Sequence, residues 1–245
     1  MVTTCMDPAS NGTPGCDREG QDRPEAAGST PIAVFDLDGT LLAGDSTASW
    51  VLMLLFSSWL RCIAAAIALP VCLFLIWFPA SRRVGASVLL WIATVGYDQN
   101  ALLERIEAFV KRFEQGGRGI HWRNDGLTAM DRHLAAGDRV LVVTAAPVWL
   151  AKRLLGSRSR VLGSTLERRW GGWIIGHHCH GNEKCRMLEQ SGYGTAWDYA
   201  YTDSYDDAPL LAAAGKQGFI VNARPGVVAK LRALGPARIS ELRWT

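Results

Sequence analysis

Two carboxylates one residue apart, Asp36 and Asp38, stand at the end of the apolar run Ile32-Ala33-Val34-Phe35 and are followed by Gly39-Thr40. Residues i and i+2 of a strand share a face. Here the chain is leaving the strand, so both acids converge just past its carboxyl end, where open α/β sheets carry their chemistry. A carboxylate pair beside a glycine turn suits Mg²⁺ coordination and phosphoryl transfer. Three later segments set further reactive residue types at or just beyond the ends of expected elements. They are Val143-Thr144-Ala145-Ala146-Pro147, Gly181-Asn182-Glu183-Lys184 and Tyr201-Thr202-Asp203-Ser204-Tyr205-Asp206-Asp207. Taken singly, each has a plainer reading as a turn, a solvated helix start or an acidic capping loop. Their joint occurrence in this order carries the argument.

The elements that must position these residues follow from periodicity and punctuation. A strand over 32–36 leads to the acid pair, and the sequence is then almost wholly apolar over 47–97, broken by Arg61 and by Arg82-Arg83. Helices are expected over 100–115 and 122–136, the second stopped by Gly137. Residues 139–144 read as a strand buried on both faces of a parallel sheet. Pro147 opens a helix to about residue 155. A strand over 161–166, a hairpin over 169–175 through Gly171-Gly172 and a helix over 183–191 come next. A strand over 199–202, a helix over 208–214 and a last strand over 218–221 complete the series. This alternation argues an α/β fold with a doubly wound parallel-sheet core. The core takes residues 31–43 and 137–245. Residues 44–136 form an inserted helical cap containing the apolar segment 47–97, read as membrane-associated. Residues 1–30 are rich in Gly, Pro, Ser, Asp and Glu and are expected to be a disordered tail with neither the basic start nor the apolar core of a signal peptide.

The four segments together resemble the haloacid-dehalogenase phosphatase superfamily from Ile32 to Val221. That resemblance implies Asp36 as nucleophile and Asp38 as acid and then base. It implies Thr144 and Lys184 as catalytic ligands of the substrate phosphoryl group. It further implies Mg²⁺ held by Asp36, Asp38 (through its main-chain carbonyl) and Asp203, with Asp207 in support. An Asp at position 38 points to hydrolysis rather than to a stable phosphoenzyme. Within the superfamily the chain is most similar to the phosphatidylglycerophosphatase C family. The likeness includes the apolar insertion after the acid pair, Leu89-Leu90-Trp91 with Thr94 and Gly96, and Gly171-Gly172-Trp173. It continues through Cys179 before Lys184, and through Asp203 to Leu211. It implies a phospholipid phosphate substrate, phosphatidylglycerophosphate, at the cytoplasmic face of the inner (plasma) membrane. Ala145-Ala146 departs from the Gly-Ser expected after Thr144. The rival readings are a soluble phosphatase acting on a small metabolite such as phosphoserine, and a non-catalytic membrane module retaining the fold.

Composition narrows the partners. A net charge of +3 over 245 residues with no block of like charge argues against nucleic acid. Six cysteines at irregular spacings, Cys5, Cys16, Cys62, Cys72, Cys179 and Cys185, fit a reducing compartment. Residues 62–80 carry no charge and as a helix span about 28 Å, close to the roughly 30 Å hydrocarbon core. Because Asp36 precedes this stretch and Lys184 follows it, a single crossing would separate residues that must meet. A re-entrant or interfacial hairpin bent near Pro70, with Arg61 and Arg82-Arg83 together at headgroup level, is the favoured arrangement. A soluble cap that buries these residues in its own core is the alternative. Trp50, Trp59, Trp77 and Trp91 are either interfacial anchors or cap core, and Arg158, Arg160, Arg168 and Arg169 read as a solvated basic face. The run His177-His178-Cys179-His180 is too close-spaced to close around one tetrahedral zinc.

Overall fold

Strands that are apolar at every position need cover on both faces, and the fold supplies it. The computed structural model describes residues 30–78, 81–116, 119–223, 225–233 and 238–245. The expected tail, apart from Thr30, lies outside the described residues. The chain passes through β1 (Ile32–Phe35) and the short β2 (Leu42–Ala43) into four helices, α1 (Ser46–Leu55), α2 (Trp59–Trp77), α3 (Arg82–Thr94) and α4 (Gln99–Glu114). The two-residue β3 (His121–Trp122) returns antiparallel to β2. Then follow α5 (Asn124–Ala135), β4 (Arg139–Pro147), α6 (Val148–Leu155), β5 (Arg160–Ser164) and the hairpin of β6 (Leu166–Arg169) and β7 (Gly172–Ile175). The chain ends with α7 (Asn182–Leu188), β8 (Trp197–Thr202), α8 (Ala208–Ala212), β9 (Ala214–Val221), α9 (Pro225–Ala233) and β10 (Ile239–Leu242).

Six strands form one parallel sheet in the order β10-β9-β8-β1-β4-β5. Alternate residues face opposite sides. Phe35, Val140 and Val142 pack with Met130 of α5 and Leu155 of α6. Val34, Leu141 and Val143 pack with Leu188, Leu210 and Leu231 of α7, α8 and α9. The sheet is therefore doubly wound. Its edge strand β10 and the preceding α9 were not anticipated, because Ile239-Ser240-Glu241-Leu242 is neither continuously apolar nor cleanly alternating. Trp122 belongs to β3 rather than to the helix expected from 122. That helix, α5, starts at Asn124, and its Met130 is fully buried beneath β1 and β4. It packs on the sheet, so the inserted helices proper are α1–α4 rather than the whole of 44–136.

The insertion has its own core of Trp50, Leu54, Leu90, Leu102 and Ile106, joined by Leu150 of α6 and Trp173 of β7. Asp45 and Asp98 cap α1 and α4, accepting from the Ala48 and Ala101 N–H groups at 2.8 Å each. The helix α2 runs unbroken through Pro70, which corrects the expected bend there. A proline removes one helical hydrogen bond, but Ala65 and Cys72 on either side are buried, and α3 packs along α2 and holds both halves. Instead α3 packs back along α2, with the Ser81 hydroxyl donating to the Leu75 carbonyl at 2.8 Å and Gly85 set against Cys72. Arg61 and Arg82-Arg83 consequently stand toward opposite ends of α2, about 23 Å apart along its axis, since Arg82 Nε reaches back to the Ile76 carbonyl, and not together as expected. The four tryptophans also divide: Trp50 is fully buried, Trp91 is half-buried, and Trp59 and Trp77 at the ends of α2 are exposed.

Gly85 of α3 permits the close approach of α2. A Cβ there would lie 2.7 Å from the Cys72 carbonyl oxygen and 2.9 Å from Ile76 Cγ1. Gly85→Val is expected to lower the unfolding free energy by about 1–3 kcal/mol through overpacking. Urea unfolding measures this, and an unchanged midpoint would mean that the two helices do not meet at this residue.

Candidate active site

The acid pair is presented by a local alternation. Leu37, Leu41 and Leu42 are fully buried, and the Leu42 N–H donates to the Leu37 carbonyl at 2.8 Å. The apolar residues thus pin the loop to the core, while Asp36 and Asp38 project from it. The Asp36 N–H still donates to the Tyr201 carbonyl at 2.9 Å, extending the β1–β8 ladder by one residue. Gly39 has φ +81°, and a Cβ there would fall 2.2 Å from Asp203 Oδ2. A side chain at 39 would therefore displace Asp203.

Register brings the remaining segments alongside. Phe35 lies opposite Val142 on β4 and Tyr201 on β8. Asp36, Thr144 and Asp203 therefore all sit at the carboxyl ends of three adjacent strands. Lys184, in the first turn of α7, is 2% exposed, and its Nζ lies 2.8 Å from Asp36 Oδ1 and 2.6 Å from Asp207 Oδ2. Asp207 also accepts from the Thr202 hydroxyl at 2.7 Å, and Asp203 from the Thr40 hydroxyl at 3.3 Å. Gly181, with φ +57°, starts α7 close against the Asp206 carbonyl.

Asp38 points elsewhere. Its carboxylate accepts from the Ser46 N–H at 2.8 Å and from the Ser46 hydroxyl at 3.1 Å, at the start of α1. Thr144 is buried and its Oγ1 accepts from the Ala146 N–H at 3.0 Å, which leaves the hydroxyl proton free to donate. Ser164 of β5 donates to the Ala145 carbonyl at 2.7 Å and accepts from the Cys179 N–H at 3.0 Å. It thereby ties the Thr144 turn to the segment leading to Lys184. Ser46, Thr202 and Ser164 are not singled out from sequence, because an isolated Ser or Thr carries no local signal of the partner it meets on another element. The histidine run disperses: His177 lies 3.5 Å from Glu183, His180 lies 3.4 Å from Asp206, and Cys179 is buried.

Charge in this cluster is unbalanced. Burial pushes the Asp36 carboxyl up to about 8, with Asp207 and Asp203 adding to the rise and Lys184 pulling against it. Burial also raises Asp203, against its own main-chain hydrogen bond and that of Thr40. Burial works against the Lys184 charge, yet Asp36 and Asp207 outweigh it and raise the ammonium above its ordinary value. Asp38 is pushed up to about 6, first by burial and then by Asp45, with the Ser46 bonds holding it down. One lysine thus faces more carboxylate charge than it neutralises, and a hard divalent cation fits the deficit. Among the described residues no three His, Cys, Asp or Glu side chains converge as metal ligands. Mg²⁺ is commonly held by one or two carboxylates with water and substrate phosphate. Asp36, Asp203 and the Asp38 main-chain carbonyl would be such a set.

A buried carboxylate paired to a lysine, with further carboxylates beside it, is an arrangement able to support hydrolytic chemistry. The family model for haloacid dehalogenase-like hydrolases matches residues 33–212, and the chain belongs to that family. Among solved structures it is similar to a protein of unknown function from Bordetella pertussis Tohama I. The identity is 21%, 86% of this chain and 98% of that one are covered, and the TM-score is 0.69. It is similar also to a phosphoserine phosphatase solved as a phospho-aspartyl intermediate analogue (15% identity, 86% and 93% covered, TM-score 0.56). A probable phosphoserine phosphatase from Vibrio cholerae is a further likeness (15% identity, 87% and 60% covered, TM-score 0.58). At these identities the likeness is one of fold.

If the carboxylate excess receives Mg²⁺, the cation at ten times its dissociation constant should raise the melting temperature by roughly 3–6 °C. Asp203→Asn should lose that response. Calorimetry with and without Mg²⁺ tests it, and an equal rise in the variant would place the cation elsewhere.

Proposed function

We propose that the protein is a Mg²⁺-dependent phosphomonoester hydrolase working through an aspartyl-phosphate, and that its substrate is phosphatidylglycerophosphate at the cytoplasmic face of the inner membrane. The observation that carries the chemistry is the buried Asp36–Lys184–Asp207 chain, at 2.8 and 2.6 Å, beside Asp38 and Asp203. Asp36 attacks phosphorus as the bond to the ester oxygen breaks, and Asp38 gives its proton to the leaving alcohol. Asp38, now ionised, takes a proton from the water that attacks the aspartyl-phosphate, which releases phosphate and restores Asp36. A carboxyl near 6 holds and gives up a proton readily at neutral pH, as both steps require. Lys184 neutralises charge on Asp36 and on the phosphoryl oxygens, and the Thr144 hydroxyl donates to one of them. Asp207, held by Thr202, positions Lys184. Bound Mg²⁺ supplies the charge that keeps Asp36 ionised and offsets that of the phosphoryl group.

The lipid substrate is supported by α2. It is long and apolar enough to enter a bilayer, and of its 19 residues Ala65 and Cys72 are the buried ones. Its carboxyl-terminal end also lies beside the site, since Arg82, just beyond it, pairs with Asp206 at 3.4 Å.

Asp36→Asn should reduce phosphate release at least about a thousandfold, and undiminished turnover would overturn the mechanism. Wild-type enzyme should prefer phosphatidylglycerophosphate in micelles to phosphoserine and other soluble monoesters by kcat/KM; the reverse order would favour a soluble metabolite phosphatase, and no turnover of any ester a binding module. A pH profile gives a separate check. Because Asp38 must be protonated to act as the acid, kcat/KM falls as pH rises through its pKa. The Ser46 hydroxyl bond favours the ionised form, so Ser46→Ala, which removes it and keeps the main-chain N–H bond, should move the alkaline limb to higher pH, with Ser46→Thr restoring it. A limb that stays in place would separate it from Asp38.

A further inference from the structure

The outward side of α2 is apolar and takes no part in the site. Its inward side is a narrow stripe through Ala65 and Cys72 that meets α3, whereas Ile67 and Phe74 are 76% and 64% exposed. Trp59 and Trp77 close the two ends, 70% and 81% exposed. No acidic residue lies on α2, and the charged side chains at its ends, Arg61, Arg82 and Arg83, are basic. An apolar face with aromatic ends and a basic rim matches the surface of an anionic bilayer. A second copy of the same face would oppose one basic rim to another.

We infer that α2 lies in the plane of an anionic bilayer surface, its outer half sunk among the acyl chains, and does not cross. Both of its ends are tied to the folded body. Arg61 donates to the Val95 carbonyl at 3.0 Å and to the Tyr97 hydroxyl. Beyond the other end, Arg83 donates to the Ile175 carbonyl at 3.0 Å and Arg82 reaches Asp206. A crossing by α2 would need a second crossing to return the chain, because Asp36 before it and Lys184 after it are 2.8 Å apart. The next helix, α3, has 13 residues, about 20 Å against a hydrocarbon core of roughly 30 Å. Its length is also occupied by the β6–β7 hairpin, as Trp91 Nε1 donates to the Arg169 carbonyl of β6 and the Trp173 N–H of β7 to Thr94 Oγ1. In-plane docking sets Arg82, and with it the loop of Asp203 and Asp207, at headgroup level. The inference rests on the membrane association proposed above but not on the identity of the phosphate ester.

The test uses full-length protein with its accessible native cysteines replaced by serine and single cysteines at Ser57, Ile67 or Ser81. Each is labelled with a membrane-impermeant thiol reagent added outside sealed vesicles of phosphatidylglycerol and phosphatidylcholine. In-plane docking predicts that Ser57→Cys and Ser81→Cys are labelled at equal rates from outside, while Ile67→Cys is protected only when vesicles are present. Protection of one end alone would mean a crossing and would overturn the inference. Labelling of all three sites despite saturating vesicles would mean no docking, and vesicle-independent, concentration-dependent protection of Ile67→Cys would mean a second copy; both overturn it. The paired change Ile67→Asp with Phe74→Asp should weaken vesicle partition on the order of a hundredfold. It should leave hydrolysis of a soluble phosphomonoester unchanged, which separates lost docking from lost folding and from failure of the catalytic reading. Undiminished partition of this variant would also overturn the inference.

Discussion

A lysine buried to 2% exposure between two carboxylates is the constraint on which the rest of this structure depends. Removing such a charge from water is costly unless its partners are close and themselves held. The fold meets that demand from three directions. The end of β1 supplies Asp36, α7 supplies Lys184, and the loop after β8 supplies Asp207, itself held by Thr202. Any slip of one strand in the parallel register would leave the ammonium or a carboxylate unpaired. Sheet order and site geometry are therefore two aspects of one electrostatic condition.

The same condition governs the inserted helices. They lie between β1 and β4, adjacent strands of the sheet, so everything between has to start and finish on one side of any membrane. The insertion manages this with a core of its own around Trp50 and Leu102. One long apolar helix joins that core only through Ala65 and Ala68 and leaves most of its surface outside it. Burial of apolar side chains is the usual driving force of folding, and α2 leaves much of that potential unused. Its anchors are instead arginines bonded to Val95, Ile175 and Asp206, which fix the direction of the helix relative to the site.

Much of this was legible in the chain. The short apolar runs, the glycine and proline punctuation and the four polar segments follow local rules of periodicity and turn chemistry. What escaped depended on partners distant in sequence. The edge strand β10 is recognisable only beside β9, which covers one of its sides. Ser46 and Ser164 look like ordinary polar residues until Asp38 and the Ala145 turn are set against them. Pro70 reads as the place where a hairpin turns, yet α2 continues through it to Trp77.

By itself, then, the sequence determined the class of fold and the residues able to do chemistry, because both are written in the spacing of side chains along a strand or helix. Only the tertiary structure decided which carboxylates share Lys184, which one turns away to Ser46, and that Arg61 and Arg82 stand at opposite ends of one helix. The physical reason is that these outcomes are set by contacts between separate elements, where register and packing outweigh local preference.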